Sequence, residues 1–237
     1  MFLSTLQSLC IIGAYGTFFA GMDTVMTRWG LRKPYYAVHV LHNAIMVALT
    51  AGDVWTSVTD YPRVFTYPTN WHAVLLCYAL HFYHTFMYWR TFHPDDWLHH
   101  ITMIGVAMPL GSLVNAGTLM GMNLFFTTGL PGGISYALLF AERNGWITRS
   151  TEKAINEPVH EWIRSPGCLA HATLAAVTAW SSTSQPVWAR LGCTLIAALT
   201  AWNGIYFAGQ VMRSNRQEGG RVGGRNTAPA HTAVSLQ

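Results

Sequence analysis

Seven long apolar stretches, separated by short polar segments, constrain this chain more than any other feature of its sequence. Charged residues make up 10% of the 237 residues and hydrophobic residues 51%. Soluble domains usually carry about 25% charged residues, and a helix needs about 20 apolar residues to cross a bilayer. The sequence therefore predicts an all-α, multi-pass transmembrane protein. The seven predicted spans are residues 2–22, 36–57, 71–91, 97–114, 118–141, 167–183 and 188–211.

The basic residues predict the orientation of these spans, because Lys and Arg collect in cytoplasmic loops. With the N-terminus outside and the C-terminus inside, 12 of the 14 basic residues lie on the inner side, and only Arg63 and Arg190 lie outside. We therefore expect a transmembrane domain over residues 1–212 and a flexible, basic and polar C-terminal tail over 213–237. The basic inner face favours membrane lipids with anionic headgroups as partners, and not nucleic acid.

Histidines recur on the cytoplasmic side of several predicted spans. At a rise of about 1.5 Å per residue, five of them approach the membrane from that side, and two more lie close by on the same helices. Ionisable side chains inside a membrane mark functional sites by default, although each could instead bond a neighbouring helix. The residues predicted to line one binding cavity are His39, His42, Asn43, His81, His84, Tyr88, His99, His100 and His171.

Two aspartates one turn before the histidine pair suggest a catalytic centre. Asp95 lies four residues before His99, and Asp96 lies three and four residues before His99 and His100. A carboxylate at this spacing can hold an imidazole in one tautomer and raise its basicity. The alternative is that both aspartates stabilise the first turn of the helix through its dipole.

The fifth predicted span contains the sequence GLPGG at residues 129–133. Proline removes a backbone donor, so we expect a kink or a break there. Irregular backbone at membrane depth is tolerated where protein or a wet cavity covers it. Thr127 and Thr128 are therefore predicted to bond the freed backbone groups or to line the cavity; a kink that serves packing alone is the alternative.

Residues 142–166 are predicted to form an amphipathic segment on the inner membrane surface, because tryptophans and aliphatic residues alternate there with charges. The segment either caps the mouth of the cavity or contacts a protein partner. The four cysteines fall inside spans without metal-ligand spacing and are read as buried hydrophobes. No metal site and no bound cofactor is predicted.

Three short motifs resemble the TLC superfamily, which includes the ceramide synthases. They are VHVLHNA at 38–44, DDWLHHIT at 95–102 and AGTL at 116–119. The resemblance implies a barrel of six helices plus one extra helix, around a lipid-sized tunnel open to the cytoplasm, in an endoplasmic-reticulum-like membrane. It also implies acyl-CoA as a substrate, with His99 or His100 as base or acyl carrier and Asp95 or Asp96 orienting it.

The chain departs from the ceramide synthase pattern at two places. His84 stands where the family has an acidic residue, and the segment 123–136 contains no carboxylate. Three functions therefore stay open at this point: binding or processing of a long-chain acyl lipid, including acyl transfer; a non-catalytic membrane subunit or scaffold of a larger complex; and a histidine-ligated metalloenzyme of the hydroxylase or desaturase kind.

Overall fold

The computed structural model describes residues 4–182 and 185–226, with side chains as far as Gln217. Within these residues the chain is helical and has no strand. Seven helices, here α1 to α7, follow one another along the chain. Their bounds are Thr5–Arg28, Pro34–Thr59, Trp71–Tyr88, 94–113, Thr118–Arg143, 149–181 and Val187–Asn226.

Each of the seven helices overlaps one predicted span. Four of them are long and apolar enough to cross a membrane, and they are Thr5–Arg28, Pro34–Thr59, Thr118–Arg143 and Val187–Gln217. The other three are Trp71–Tyr88, 94–113 and 149–181. The all-α, membrane-type prediction is therefore confirmed in its coarse form, and the number of seven spans stays a prediction.

Three helices contain a π-helical segment, in which the backbone bonds reach one residue further than in an α-helix. The segments are Ile101–Ala107 in α4, Phe125–Gly129 in α5 and His160–Arg164 in α6. The predicted irregularity around 129–133 is therefore present, as a π segment that ends at Gly129 and not as a break. Thr127 lies within it and donates to the backbone oxygen of Asn123 at 2.8 Å.

The segment 142–166 differs from its prediction, because it is not a separate surface element. The helix Arg149–Val159 runs through the π segment directly into Ser165–Ser181. Its polar residues Glu152 and Asn156 are buried, whereas Trp162 is 72% exposed. Asn156 bonds Glu152 at 3.1 Å and accepts a bond from Ser135 of α5. Polar side chains of this helix are therefore held against the bundle, whereas Ile155 and Trp162 point away from it.

The last helix also extends further than predicted. α7 continues through Asn226, well into the segment 213–237 that the sequence assigns to a flexible tail. Asn215 of this extension bonds the side chain of Glu157 and the backbone oxygen of Lys153 in α6. The boundary at residue 212 therefore does not mark the end of helical structure; residues 227–237 lie outside the described residues.

The helices pack as pairs along the bundle. α1 lies against α3, α2 against α5, and α6 against α7. Polar side chains join several of these pairs, as expected where packing takes place without water. Ser57 donates to Thr118 at 3.0 Å between α2 and α5, and Ser165 donates to the backbone oxygen of Gly204 at 2.8 Å between α6 and α7.

A buried carboxylate fixes α1 to α3. Asp23 is 2% exposed and accepts hydrogen bonds from the hydroxyls of Tyr83 and Tyr88, the second at 2.6 Å. Thr27, one turn further along α1, donates to its other oxygen at 3.3 Å. A buried charge is tolerated when hydrogen bonds satisfy it, so Asp23 specifies how these two helices meet.

The loop after α2 closes the end of the bundle opposite to the α1–α2 turn. Arg63 and the hydroxyl of Tyr67 donate to Asp60 at 3.0 and 2.7 Å, and these bonds hold the pKa of that carboxyl below its usual range. Thr69 donates to the backbone oxygen of Gly117 at 3.1 Å, which ties this loop to the α4–α5 turn.

Candidate functional site

A histidine-lined cavity of about 160 Å³ lies among α2 to α7 near the start of α2 and the end of α3. We call this the basic end of the bundle, because Arg32, Lys33 and Arg143 lie there. All six helices from α2 to α7 contribute side chains to the cavity, and α1 contributes none. The residues predicted from sequence that line it are His39, His81, His84, Asp95, Asp96, His99, His100, Thr127 and Thr128.

Three of the cavity histidines each make the same kind of local hydrogen bond. Nδ1 of His39, His81 and His100 lies 2.7 to 2.8 Å from the backbone oxygen four residues earlier in the same helix. A carbonyl only accepts, so each Nδ1 carries the proton, and in a neutral ring the Nε2 atom is left bare. Helix geometry thus sets the tautomer of all three rings. For His100, Nε2 is buried without a hydrogen-bond partner among the described residues.

His81 and His99 form a direct pair across α3 and α4. Their Nε2 atoms lie 3.3 Å apart. Because Nε2 of His81 is bare, it accepts, and Nε2 of His99 donates. A neutral His99 therefore keeps its own Nδ1 free of a proton. His99 and His100 both border the cavity, and each has one ring nitrogen without a proton, Nδ1 in His99 and Nε2 in His100.

Aromatic packing holds the remaining rings in place. His84 lies 5.0 Å from His39 and 5.3 Å from His100 between ring centroids, and Tyr35 stacks on it at 5.2 Å. Phe92 covers His100 at 4.6 Å. Histidines from α2, α3 and α4 therefore form one continuous cluster, so the structure brings together part of the set that the sequence predicts to line one cavity.

Asp95 and Asp96 do not orient the histidines through their carboxylates. The carboxylate of Asp96 accepts from the backbone nitrogen of His93 at 2.9 Å and caps the start of α4. Asp95 accepts from the hydroxyl of Tyr206 at 3.2 Å. It is the backbone oxygen of Asp96, and not its side chain, that fixes His100. The alternative interpretation, a stabilised first turn, describes Asp96.

Four predicted lining residues lie outside the cavity. His42 and Asn43 form a second layer behind it, where Nδ1 of His42 bonds Oδ1 of Asn43 at 2.8 Å and Thr128 donates to the same oxygen at 3.1 Å. Tyr88 bonds Asp23 at the α1–α3 contact. His171 is buried against the backbone of Leu119. The rotation of their helices turns His42, Asn43 and Tyr88 away from the cavity, whereas His171 lies further along α6, next to the start of α5.

Sequence reasoning missed Arg164, which also borders the cavity. Its side chain is 8% exposed, and Nη2 donates to Oδ1 of Asn203 at 3.0 Å. The guanidinium lies 4.4 Å from the ring centroid of Phe207, a cation–π contact. The Nε atom is buried without a partner among the described residues. The Ser-Pro-Gly sequence that follows Arg164 predicts a loop, whereas the structure continues the helix through it.

A second, apolar cavity of about 40 Å³ opens from the same place and runs between α4, α5 and α7. Both cavities are bordered by Asp95, His99, Met103, Thr127, Asn203 and Phe207, so they form one histidine-lined chamber with one mainly apolar branch. The branch is lined further by Leu98, Thr102, Ala107, Leu199 and Trp202, and by the polar side chains of Asn123, Thr200 and Tyr206. Leu98 is 47% and Trp202 43% exposed on the outer surface, which brings the branch to the side of the bundle.

The π segments surround this chamber. Met103, Thr127 and Arg164 each lie within one of them, on three different helices. π-Helical turns inside α-helices occur often at functional sites. Among the residues that the structure describes, no three His, Cys, Asp or Glu side chains come together as a metal-binding group.

Comparisons of this chain with protein-family models, with curated proteins and with solved structures give no match. The resemblance to the TLC superfamily stays a prediction that rests on the three short motifs. The function is therefore argued from the site.

Proposed function

We propose that this chain is an integral membrane protein that binds a long-chain acyl lipid. The polar headgroup occupies the histidine-lined chamber, and the acyl chain occupies the apolar branch. The single observation that carries this proposal is the union of the two: a chamber lined by histidines and one arginine continues into a mainly apolar passage toward the side of the bundle. That polarity pattern matches the two halves of an amphiphile.

The size of the chamber supports a ligand that is only partly enclosed. Sites that enclose a whole drug-sized ligand measure about 300–1,000 Å³, whereas the chamber measures about 160 Å³ and the branch about 40 Å³. A long chain cannot fit inside both together. It leaves between α4 and α7, where apolar side chains face the bilayer in the proposed orientation.

We propose seven spans with the N-terminus outside, so that the basic end faces the cytoplasm. The distribution of Lys and Arg supports this orientation, and the overlap of every predicted span with one helix supports the number. The participation of α2 to α7 in one cavity, with α1 packed outside it, agrees with the six-plus-one arrangement that a TLC-like protein would have. An endomembrane location follows from that resemblance alone.

If the bound lipid reacts, the geometry favours acyl transfer with His99 as base. Its Nδ1 is free to take a proton from an attacking amine or hydroxyl, while His81 holds the other side of the ring. Acyl-CoA remains the donor implied by the motifs. The basic residues at the mouth favour an anionic donor there.

A second candidate is a lipid-holding subunit without a reaction, a membrane scaffold in a larger complex. The observation that favours it is the engagement of both aspartates, because Asp95 bonds Tyr206 and Asp96 caps α4. Neither carboxylate is then free to assist His99. Both candidates bind lipid in the same place, and they differ in whether the protein catalyses a reaction of that lipid.

Lipid analysis of the purified protein tests the shared part of the proposal. Ala107 lines the branch, and Val106 beside it is 40% exposed to the outside. Ala107→Phe fills the branch and is expected to remove most of the co-purifying acyl lipid measured by mass spectrometry. Val106→Phe adds the same ring on the outer face and should leave the lipid content unchanged. Equal lipid content in both variants would contradict the proposed site.

A further inference from the structure

The charge of Arg164 is not balanced by the protein around it. Its guanidinium is buried, and its partners are the neutral amide of Asn203 and the ring of Phe207. None of the described carboxylates forms an ion pair with it. A buried charge without a counter-charge is costly, so buried charges are normally paired. The unpartnered Nε adds a hydrogen-bond donor that also lacks an acceptor.

The two carboxylates nearest in the chamber are used elsewhere. Asp95 accepts from Tyr206, whose hydroxyl in turn accepts from Gln210 at 2.8 Å. Asp96 closes the first turn of α4 through the backbone nitrogen of His93. These contacts hold both aspartates at the rim of the chamber. Neither carboxylate forms an ion pair with Arg164, so a negatively charged ligand can supply its direct counter-charge.

The surroundings of Arg164 select the kind of anion. The planar guanidinium presents a fork of donors that matches a carboxylate with two bonds. The other polar groups in the chamber are mainly neutral imidazoles, and His39 and His100 present bare Nε2 acceptors. A phosphate brings further oxygens and a second negative charge, for which these imidazoles offer neither protons nor positive charge. A carboxylate has fewer oxygens and a single negative charge, so fewer of its oxygens are left without a donor.

We propose that the ligand of this site is the anion of a long-chain carboxylic acid, with its carboxylate paired to Arg164 and its chain in the apolar branch. This inference rests on the proposed function and names the headgroup of the lipid. The small chamber suits one compact headgroup on one chain. Phe207 borders both cavities and contacts Arg164, so the carboxylate and the first methylene groups meet where the chamber opens into the branch.

Binding of palmitate, methyl palmitate and hexadecyl phosphate to the purified full chain in detergent tests the proposal. Wild-type protein should bind palmitate more tightly than either analogue. Arg164→Gln should weaken palmitate binding by about tenfold to a hundredfold, the loss expected for a charge-assisted pair. Arg190→Gln removes an arginine that bonds the backbone oxygen of Gln185 at the other end of the bundle, and should leave binding unchanged.

Asn203→Asp separates ligand binding from a structural role of Arg164. The new carboxylate stands where Oδ1 of Asn203 already accepts from Arg164, so it supplies the missing counter-charge inside the protein. Palmitate binding should fall although the arginine is intact, and thermal stability should be kept or raised. A purely structural arginine would gain stability in this variant without any change in palmitate affinity, and that result would overturn the proposal.

The remaining outcomes separate this inference from the proposed function. Methyl palmitate bound as tightly as palmitate would overturn the carboxylate but keep the acyl-lipid site. Hexadecyl phosphate bound more tightly than palmitate would replace the carboxylate by a phosphate. Absence of binding for all three amphiphiles, in wild-type protein purified without its own lipid, would contradict the proposed function itself.

Discussion

Nε2 of His81 and Nε2 of His99 lie 3.3 Å apart and join α3 to α4 inside the chamber. His81 is in turn held by the backbone oxygen of Cys77 at 2.8 Å. A carbonyl, His81 and His99 thus form a chain in which each member fixes the proton position of the next. This series of hydrogen bonds orients His99, which is the role that the sequence predicts for the aspartates.

This series of hydrogen bonds predicts the tautomers of the neutral rings. His81 should carry its proton on Nδ1 and His99 on Nε2, which nitrogen-15 NMR of selectively labelled protein can distinguish. His81→Phe removes the acceptor, so His99 should become a mixture of tautomers. His100 is bonded independently to the backbone of Asp96 and should keep its Nδ1 proton, which makes it the internal control. An Nδ1–H tautomer of His99 in wild-type protein would contradict the pairing.

The seven-span topology predicts the side on which each loop is labelled. Single cysteines at Arg63, His93, Arg143 and Gln185, in a Cys10→Ser background, can be treated with a membrane-impermeant maleimide in sealed vesicles of known orientation. The first and last should react from outside, and the middle two only after permeabilisation. Only α3 lies between Arg63 and His93, so labelling of both from one side would show that α3 does not cross.

Asp23 predicts a strong coupling between α1 and α3. Asp23→Ala leaves the hydroxyls of Tyr83 and Tyr88 buried without their acceptor, and should lower the free energy of unfolding by about 2–4 kcal/mol. The triple variant Asp23→Ala/Tyr83→Phe/Tyr88→Phe removes those stranded donors as well. Thermal melting in detergent should therefore show the triple variant to be more stable than Asp23→Ala alone. Equal or lower stability of the triple variant would mean that the hydroxyls are not the source of the loss.

Gly117 predicts a backbone constraint in the turn before α5. Its φ of 58° and ψ of −137° belong to a region that glycine alone adopts readily, and an added Cβ would meet the backbone oxygen of Val64. Gly117→Ala should destabilise the protein by about 1–3 kcal/mol. Gly52→Ala is the matched control, because a Cβ there meets nothing and alanine favours the helix by up to about 1 kcal/mol. Melting temperatures of the two variants should move in opposite directions.

The positions of the helices could be predicted from sequence because long apolar stretches with few charges have one stable solution in a bilayer. The histidine cluster was partly predictable for a related reason. His81 and His84 share one face of α3, and residues three apart on a helix point the same way. Helical periodicity and depth were enough to identify that face.

The positions of the other site residues depend on helix rotation and on helix type, which the periodicity of the sequence does not determine. His42 lies behind the cavity against Asn43, and His171 lies further along α6 against Leu119 at the start of α5. Arg164 stands before Ser-Pro-Gly, so it was counted with the loop charges, although the π segment carries the helix through it. The spacing of the aspartates predicts that their carboxylates orient the histidines. In the structure, backbone carbonyls of the same helices make those hydrogen bonds to His39, His81 and His100 instead.

Photolabelling with a long-chain fatty acid that carries a diazirine in mid-chain tests the central claim most directly. The probe is bound to the purified protein, irradiated, and its adducts are mapped by mass spectrometry. The account predicts adducts on the walls of the branch, in 98–107 of α4 and 199–207 of α7, that unlabelled palmitate removes and Ala107→Phe abolishes. Adducts confined to outward-facing residues such as Leu6 and Leu169, unaffected by palmitate, would contradict it.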